Sequence, residues 1–134
     1  MYNLIVFILL FCLDYYLKNY VSLKMRYSSK CFFNNFLQII YIENKGIAFN
    51  ILENKKKIIY TVNLILLSYI AYLYFLEVSL RLSLTLIFTG GLGNFIDRLK
   101  RGYVVDYIYF NIRKAPVFNL SDFYIIGGAI MFAF

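Results

Sequence analysis

Asp106 and Asp122 stand with fifteen residues between them in a chain that carries only seven acids. Two carboxylates held together cannot both ionise. One keeps its proton while the other serves as a base, an arrangement able to activate water for attack on a carbonyl. Taken singly, each has a plainer explanation. Asp122 lies in "FNLSDFYIIGG" (118–128), where Asn119 and Ser121 are candidate N-caps and a first-turn acid is a capping residue. Asp106 lies in "GYVVDY" (102–107), an extended segment beyond Gly102 that can return toward the apolar stretches, with no basic residue within four positions to neutralise it.

Other residues suited to chemistry gather nearby. Asn94, Asp97 and Arg98 stand at i, i+3 and i+4, so on a helix they share one face. The plain reading is an interfacial cap with an exposed charge pair; the sharper one has Asn94 and Arg98 lock Asp97 as a support. Asp14 and Lys18 lie inside the first apolar run, where an ionisable group costs at least about 2.5 kcal/mol unless it is paired or hydrated. The chain has no histidine, which excludes Ser-His-Asp and Cys-His catalysis and an HExxH zinc site. No metal ligand set is expected, and neither Cys12 nor Cys31 is given a role. Lys18 and Ser22 at i+4 form a conceivable but weak Ser-Lys pair.

The elements that must position these residues are mostly apolar. Hydrophobic residues make up 62% of the 134 and charged ones 16%, which indicates an all-α integral membrane protein with lipid as its solvent. Four spans are predicted, at about 4–23, 58–76, 81–96 and 117–134, the third extended by the snorkelling Arg81. A short connection at 77–81 makes a helical hairpin of the second and third, which brings the 24–57 and 97–116 loops to one membrane face. The Ile-, Phe- and Tyr-rich segment 36–52 predicts a β-hairpin turning at Glu43–Gly46, with Gly46 at positive φ, inside a β-rich cap over about 32–52. Such a surface is either a plain cap or a receiver of an extended peptide. The net charge of +7 sits at span ends and loops, so anionic membrane lipids rather than nucleic acid are the expected partner.

In order along the chain, "DYYLK" (14–18), "NKGIAF" (44–49), "GNFIDR" (93–98), "GYVVDY" (102–107) and "FNLSD" (118–122) make it resemble the lipoprotein signal peptidases, also called signal peptidase II. That resemblance covers nearly the whole chain. It implies a single intramembrane aspartyl peptidase domain over 1–134, four transmembrane helices with a small extracytoplasmic β-cradle, and no cofactor. The implied substrate is a bacterial prolipoprotein, cut just before its diacylglyceryl-modified cysteine. It also implies that Asp106 and Asp122 are catalytic, that Asn44, Gly46, Asn94, Arg98 and Asn119 line the site, and that Asp14, Lys18 and Asp97 support it. Tyr15, Leu17, Gly91 and Ser121 depart from the usual family pattern.

The implied location is the bacterial inner membrane, with the site on the extracytoplasmic side. Charge points the other way: Lys and Arg number seven in 24–57 and five in 98–116, against Arg81 alone on the opposite face. The rival readings are a small ion or proton transporter that uses the same aspartates as a relay, and an assembly factor that needs none of them for chemistry.

Overall fold

The computed structural model describes residues 1–34, 36–46, 55–113 and 115–134. Helices α1 (Tyr2–Lys24) and α2 (Lys56–Leu76) are long and apolar enough to cross a membrane, and α4 (Leu120–Ala133) is a shorter apolar helix. All three turn Leu, Ile, Tyr and Phe outward, among them Leu9, Ile65, Tyr72 and Ile130. That surface suits acyl chains, which solvate it without the cost water would impose.

Helix α3 (Arg81–Arg101) has the opposite pattern. Its buried positions are mostly small or polar: Ser83, Thr85, Thr89, Gly90, Gly93, Asn94, Asp97 and Arg98. Surrounded by α1, α2 and α4, it is the hub of the bundle. Small residues give it that place, because helices in lipid gain from close van der Waals packing rather than from expelling water. A methyl added at Gly90 would overlap the Ser121 carbonyl, and one at Gly93 would fall 2.6 Å from Ser121 Oγ and 2.8 Å from Asp14 Oδ2. The helix runs five residues past the predicted end at Ile96 and stops at Gly102, whose φ of 81° provides the left-handed cap.

The chain then enters an antiparallel sheet of order β1-β2-β3-β4, formed by Lys30–Phe32, Leu37–Asn44, Val104–Phe110 and Val117–Phe118. Val105 and Tyr107, on one face of β3, pack on Val21 and Met25 at the end of α1. Ile42 pairs with Asp106 and Asn44 with Val104.

This sheet supplies the first arm of the predicted hairpin with distant partners. Residues 37–44 form a strand, and among the described residues its partners are β1 and the sequence-distant β3. A local turn is closed by the Phe36 N–H on the Phe33 carbonyl, and Phe33 and Asn34 have φ of 50° and 53°. Arg98 takes the Gly46 carbonyl instead of a strand partner; the predicted second arm, 47–52, lies outside the described residues. The fourth predicted span also begins late: Val117 and Phe118 belong to the sheet, and Asn119 caps α4.

Candidate active site

Asp106 reaches the site because β3 alternates. Val105 and Tyr107 go to the α1 side, so Asp106 points to the other. Asp122 reaches it from the first turn of α4, where Asn119 and Asp122 form a reciprocal capping box.

Asn119 holds both carboxylates. Its side-chain amide donates to Asp106 Oδ1 at 2.6 Å, its backbone N–H donates to Asp122 Oδ2 at 3.0 Å, and its side-chain oxygen accepts from the Asp122 N–H at 3.0 Å. The outer oxygens have one donor each: Asn44 Nδ2 at 2.8 Å from Asp106 Oδ2, and Asn94 Nδ2 at 2.9 Å from Asp122 Oδ1. Each asparagine is itself oriented, since its carbonyl oxygen accepts from a fixed donor: Gly46 N–H for Asn44, Lys18 Nζ for Asn94, Asp122 N–H for Asn119. That leaves the NH2 groups no choice but to face the acids.

Burial pushes the Asp106 carboxyl up to about 6, with the neighbouring Asp122 charge adding to the shift and Asn44 and Asn119 opposing it. The site is thus poised to keep a proton on a carboxyl group in mildly acid conditions. Both acids open on a cleft of about 730 Å³ that Asn44, Asn94, Arg98 and Asn119 also line. Ile42, Val104, Phe118 and Ile125 supply apolar wall. A smaller cleft of about 310 Å³ lies elsewhere, between α1, α2 and α3, with no titratable side chain but Tyr74 in its lining.

The predicted supports form a separate layer. Lys18 Nζ donates to Asp14 Oδ2 at 2.8 Å, Asn94 Oδ1 at 2.9 Å and Ser121 Oγ at 3.1 Å, which uses its three N–H bonds. Asp14 Oδ1 accepts from the Ser121 N–H at 3.0 Å. Lys18 is turned to these partners, and Ser22 donates to the Asn19 carbonyl, so the Ser-Lys pair does not form.

The expected Asp97–Arg98 pairing is also corrected. Asp97 is bound by Arg101 Nε at 3.1 Å, by Lys18 at 3.8 Å and by the Val105 N–H at 3.3 Å. Arg98 donates to the Gly46 carbonyl at 2.7 Å and the Asn94 carbonyl at 3.4 Å; its buried Nε has no partner among the described residues. Adjacent helix positions diverge by about 100°, so Asp97 and Arg98 belong to different faces. Arg101, at i+4 from Asp97, had the right spacing and was overlooked, as was the Ser121 hydroxyl.

The family model for signal peptidase (SPase) II matches residues 6–134. Over 132 residues the chain is 37% identical to a lipoprotein signal peptidase of Streptococcus agalactiae serotype Ia, covering 94% of this chain and 85% of that one. It is 42% identical over 100 residues to a lipoprotein signal peptidase of Caldicellulosiruptor bescii, where the match spans 73% of this chain and 65% of the relative's length. Two solved structures, each described as a bacterial membrane enzyme, superpose with a TM-score of 0.87 at 29% identity, covering 97% and 98% of this chain and 84% and 89% of theirs.

Proposed function

The chain belongs to the signal peptidase II family of aspartic peptidases, which remove signal peptides from prolipoproteins, and from that premise we propose that Asp106 and Asp122 are its catalytic dyad. The observation that carries this reading is their common attachment to Asn119 at the floor of the cleft. With one proton between them, the ionised carboxylate takes a proton from water as its oxygen attacks the scissile carbonyl. The protonated partner gives its proton to the carbonyl oxygen, and a gem-diol forms. Return of a proton to the amide nitrogen then breaks the C–N bond. Asn44, Asn94 and Asn119 keep the acids in place, while the Arg98 guanidinium, which lines the same cleft, supports the oxygen side of the site.

The proposed substrate is a prolipoprotein with a diacylglyceryl-cysteine just after the scissile bond. The apolar walls beside the acids suit a lipidated chain. We read α1 to α4 as four spans of one peptidase domain in the bacterial inner membrane, with the dyad at the extracytoplasmic boundary. In this reading the family topology outweighs the loop charge count. Release of a signal peptide from a lipid-modified prolipoprotein by the purified protein tests the activity; an intact substrate after incubation with well-folded enzyme refutes it. Orientation has its own test in a cysteine placed at the exposed Lys55, with Cys12 and Cys31 replaced by Ser. An impermeant thiol reagent outside intact cells should label that protein and fail on the cysteine-free parent. Labelling only after lysis would place the site in the cytoplasm.

A further inference from the structure

The two faces of the sheet are treated differently. Val105 and Tyr107 are covered by α1. Their neighbours on β3, Asp106, Ile108 and Phe110, share the other face. Register extends that face across the sheet: Ile42 stands opposite Asp106, Ile39 and Lys30 line up with Ile108 and Phe118, and Leu37 and Phe32 line up with Phe110. Beyond the cleft this face is apolar but for Lys30, with Ile39 and Ile108 half-buried against the cluster at the end of α1.

It ends in an aromatic knuckle. Phe32, Phe33 and Phe36 are all exposed, Phe33 at 78%, and Phe33 sits at φ 50°, a left-handed conformation that is unfavourable for a bulky residue. An exposed ring on a strained turn would be doubly unfavourable in water. From the knuckle, rings run without a break to the membrane helix: Phe36–Phe110 at 5.9 Å, Phe110–Phe118 at 6.3 Å and Phe118–Phe123 at 5.7 Å between centroids. Phe123 is partly exposed on α4 beside Asp122, so the row joins the lipid-facing surface of that helix. Exposed Lys30 and Arg113 flank the knuckle; the Asn111 N–H, bonded to the Phe36 carbonyl at 2.8 Å, ties the second flank to it. Residues 27–40 and 107–118 contain no acid.

We propose that the β1–β2 knuckle is seated in the headgroup region of an anionic lipid leaflet, Phe32, Phe33 and Phe36 inserted among the upper acyl carbons and Lys30 and Arg113 against the phosphates. Aromatic rings favour that depth, and basic side chains at the surface add attraction to anionic lipid. The seat fixes the far end of β3. Phe110 stands four positions along the strand from Asp106, about 13 Å at roughly 3.3 Å per residue, so the knuckle sets the height at which Asp106 meets a membrane-borne substrate. This inference needs no assumption about the reaction.

The chain has no tryptophan, so Phe33→Trp introduces a single probe of nearly the same shape, with Phe36→Trp as a second should the first not accumulate. The protein is reconstituted in phosphatidylcholine vesicles with and without phosphatidylglycerol. Emission should be blue-shifted, quenched by lipids brominated near the top of the acyl chain, and shielded from aqueous iodide. Phosphatidylglycerol should increase the bromolipid quenching, and Lys30→Gln with Arg113→Gln should abolish the increase. Full access to iodide would overturn the proposal by placing the knuckle in water. Shielding from both quenchers would overturn it in favour of cover by protein, such as a second copy. Bromolipid quenching that ignores phosphatidylglycerol would refute the anionic partner.

Discussion

Four aspartates lie within a few helical turns of one another, yet they fall into two groups. Asp14 and Asp97 are ion-paired, to Lys18 and to Lys18 with Arg101. Asp106 and Asp122 have no ion pair among the described residues; amide and backbone N–H groups are their donors. The lesson is one of charge balance. A buried carboxylate matched by a cation serves to lock helices together, whereas one held by neutral dipoles is free of a fixed counter-charge and suited to proton transfer. Asn94 joins the layers, accepting from Lys18 and donating to Asp122.

Substitution in the neutral group should have the largest effect on turnover. Asp106→Asn or Asp122→Asn keeps shape while removing the acid, so each variant should accumulate normally, bind substrate and lose about 10²- to 10⁴-fold in turnover per folded molecule. The contrast collapses if Asp106→Asn still turns over while well-folded Asp97→Asn is inert.

In the ion-paired group the loss should appear in folded abundance. Lys18→Met leaves Asp14 and Asp97 buried without their shared cation, at a cost of about 3–5 kcal/mol. Asp97→Asn removes one arm and should cost on the order of 1–3 kcal/mol, with surviving protein still active. Thermal unfolding in detergent, read beside membrane abundance, checks both. Equal stability in the Lys18 variant and the parent would mean that the network contributes nothing.

The smallest effect is on pH. Asp106 ionises at about 6 in the folded protein, above its ordinary value. The folded state therefore binds more protons than the unfolded one between those values, and the Asp106 contribution to stability is complete at low pH and is lost as pH rises through about 6. The dyad needs its shared proton, so kcat/KM should fall on the same rise, with the limb belonging to the pair as a unit. Asn44→Ala removes a donor to the ionised form and should move that limb to higher pH. An unmoved limb would show that Asn44 does not tune Asp106.

Much of this arrangement was legible in the chain. Apolar runs longer than a soluble core needs marked the helices, and scarce aspartates within them marked the site, because charge at membrane depth persists only where it has a use or a partner. Asn119 beside Asp122 announced a helix cap, and "GYVVDY" after Gly102 announced a strand returning Asp106. Local signals failed at partners distant in sequence. The pairing of 37–44 with 104–110 cannot be seen in either segment. The Asp97–Arg98 reading assumed that adjacent charges meet.

By itself, then, the sequence determined the residue types and local periods: membrane helices, a capped α4, an extended β3 and acids where apolar solvent makes them costly. Only the tertiary structure decided which acids were left to neutral donors, since the Asp14–Lys18 and Asp97–Arg101 pairs stand at i+4 and are local. Gly90 and Gly93 let α3 approach α4 and α1 so closely that Lys18 is committed to Asp14, Asn94 and Ser121, while the sheet carries Asp106 to neutral donors on Asn44 and Asn119. Of these contacts, Lys18–Asn94, Lys18–Ser121 and Asn44–Asp106 join residues 62 to 103 positions apart; they are set by the distance between packed backbones, and local sequence does not encode that distance.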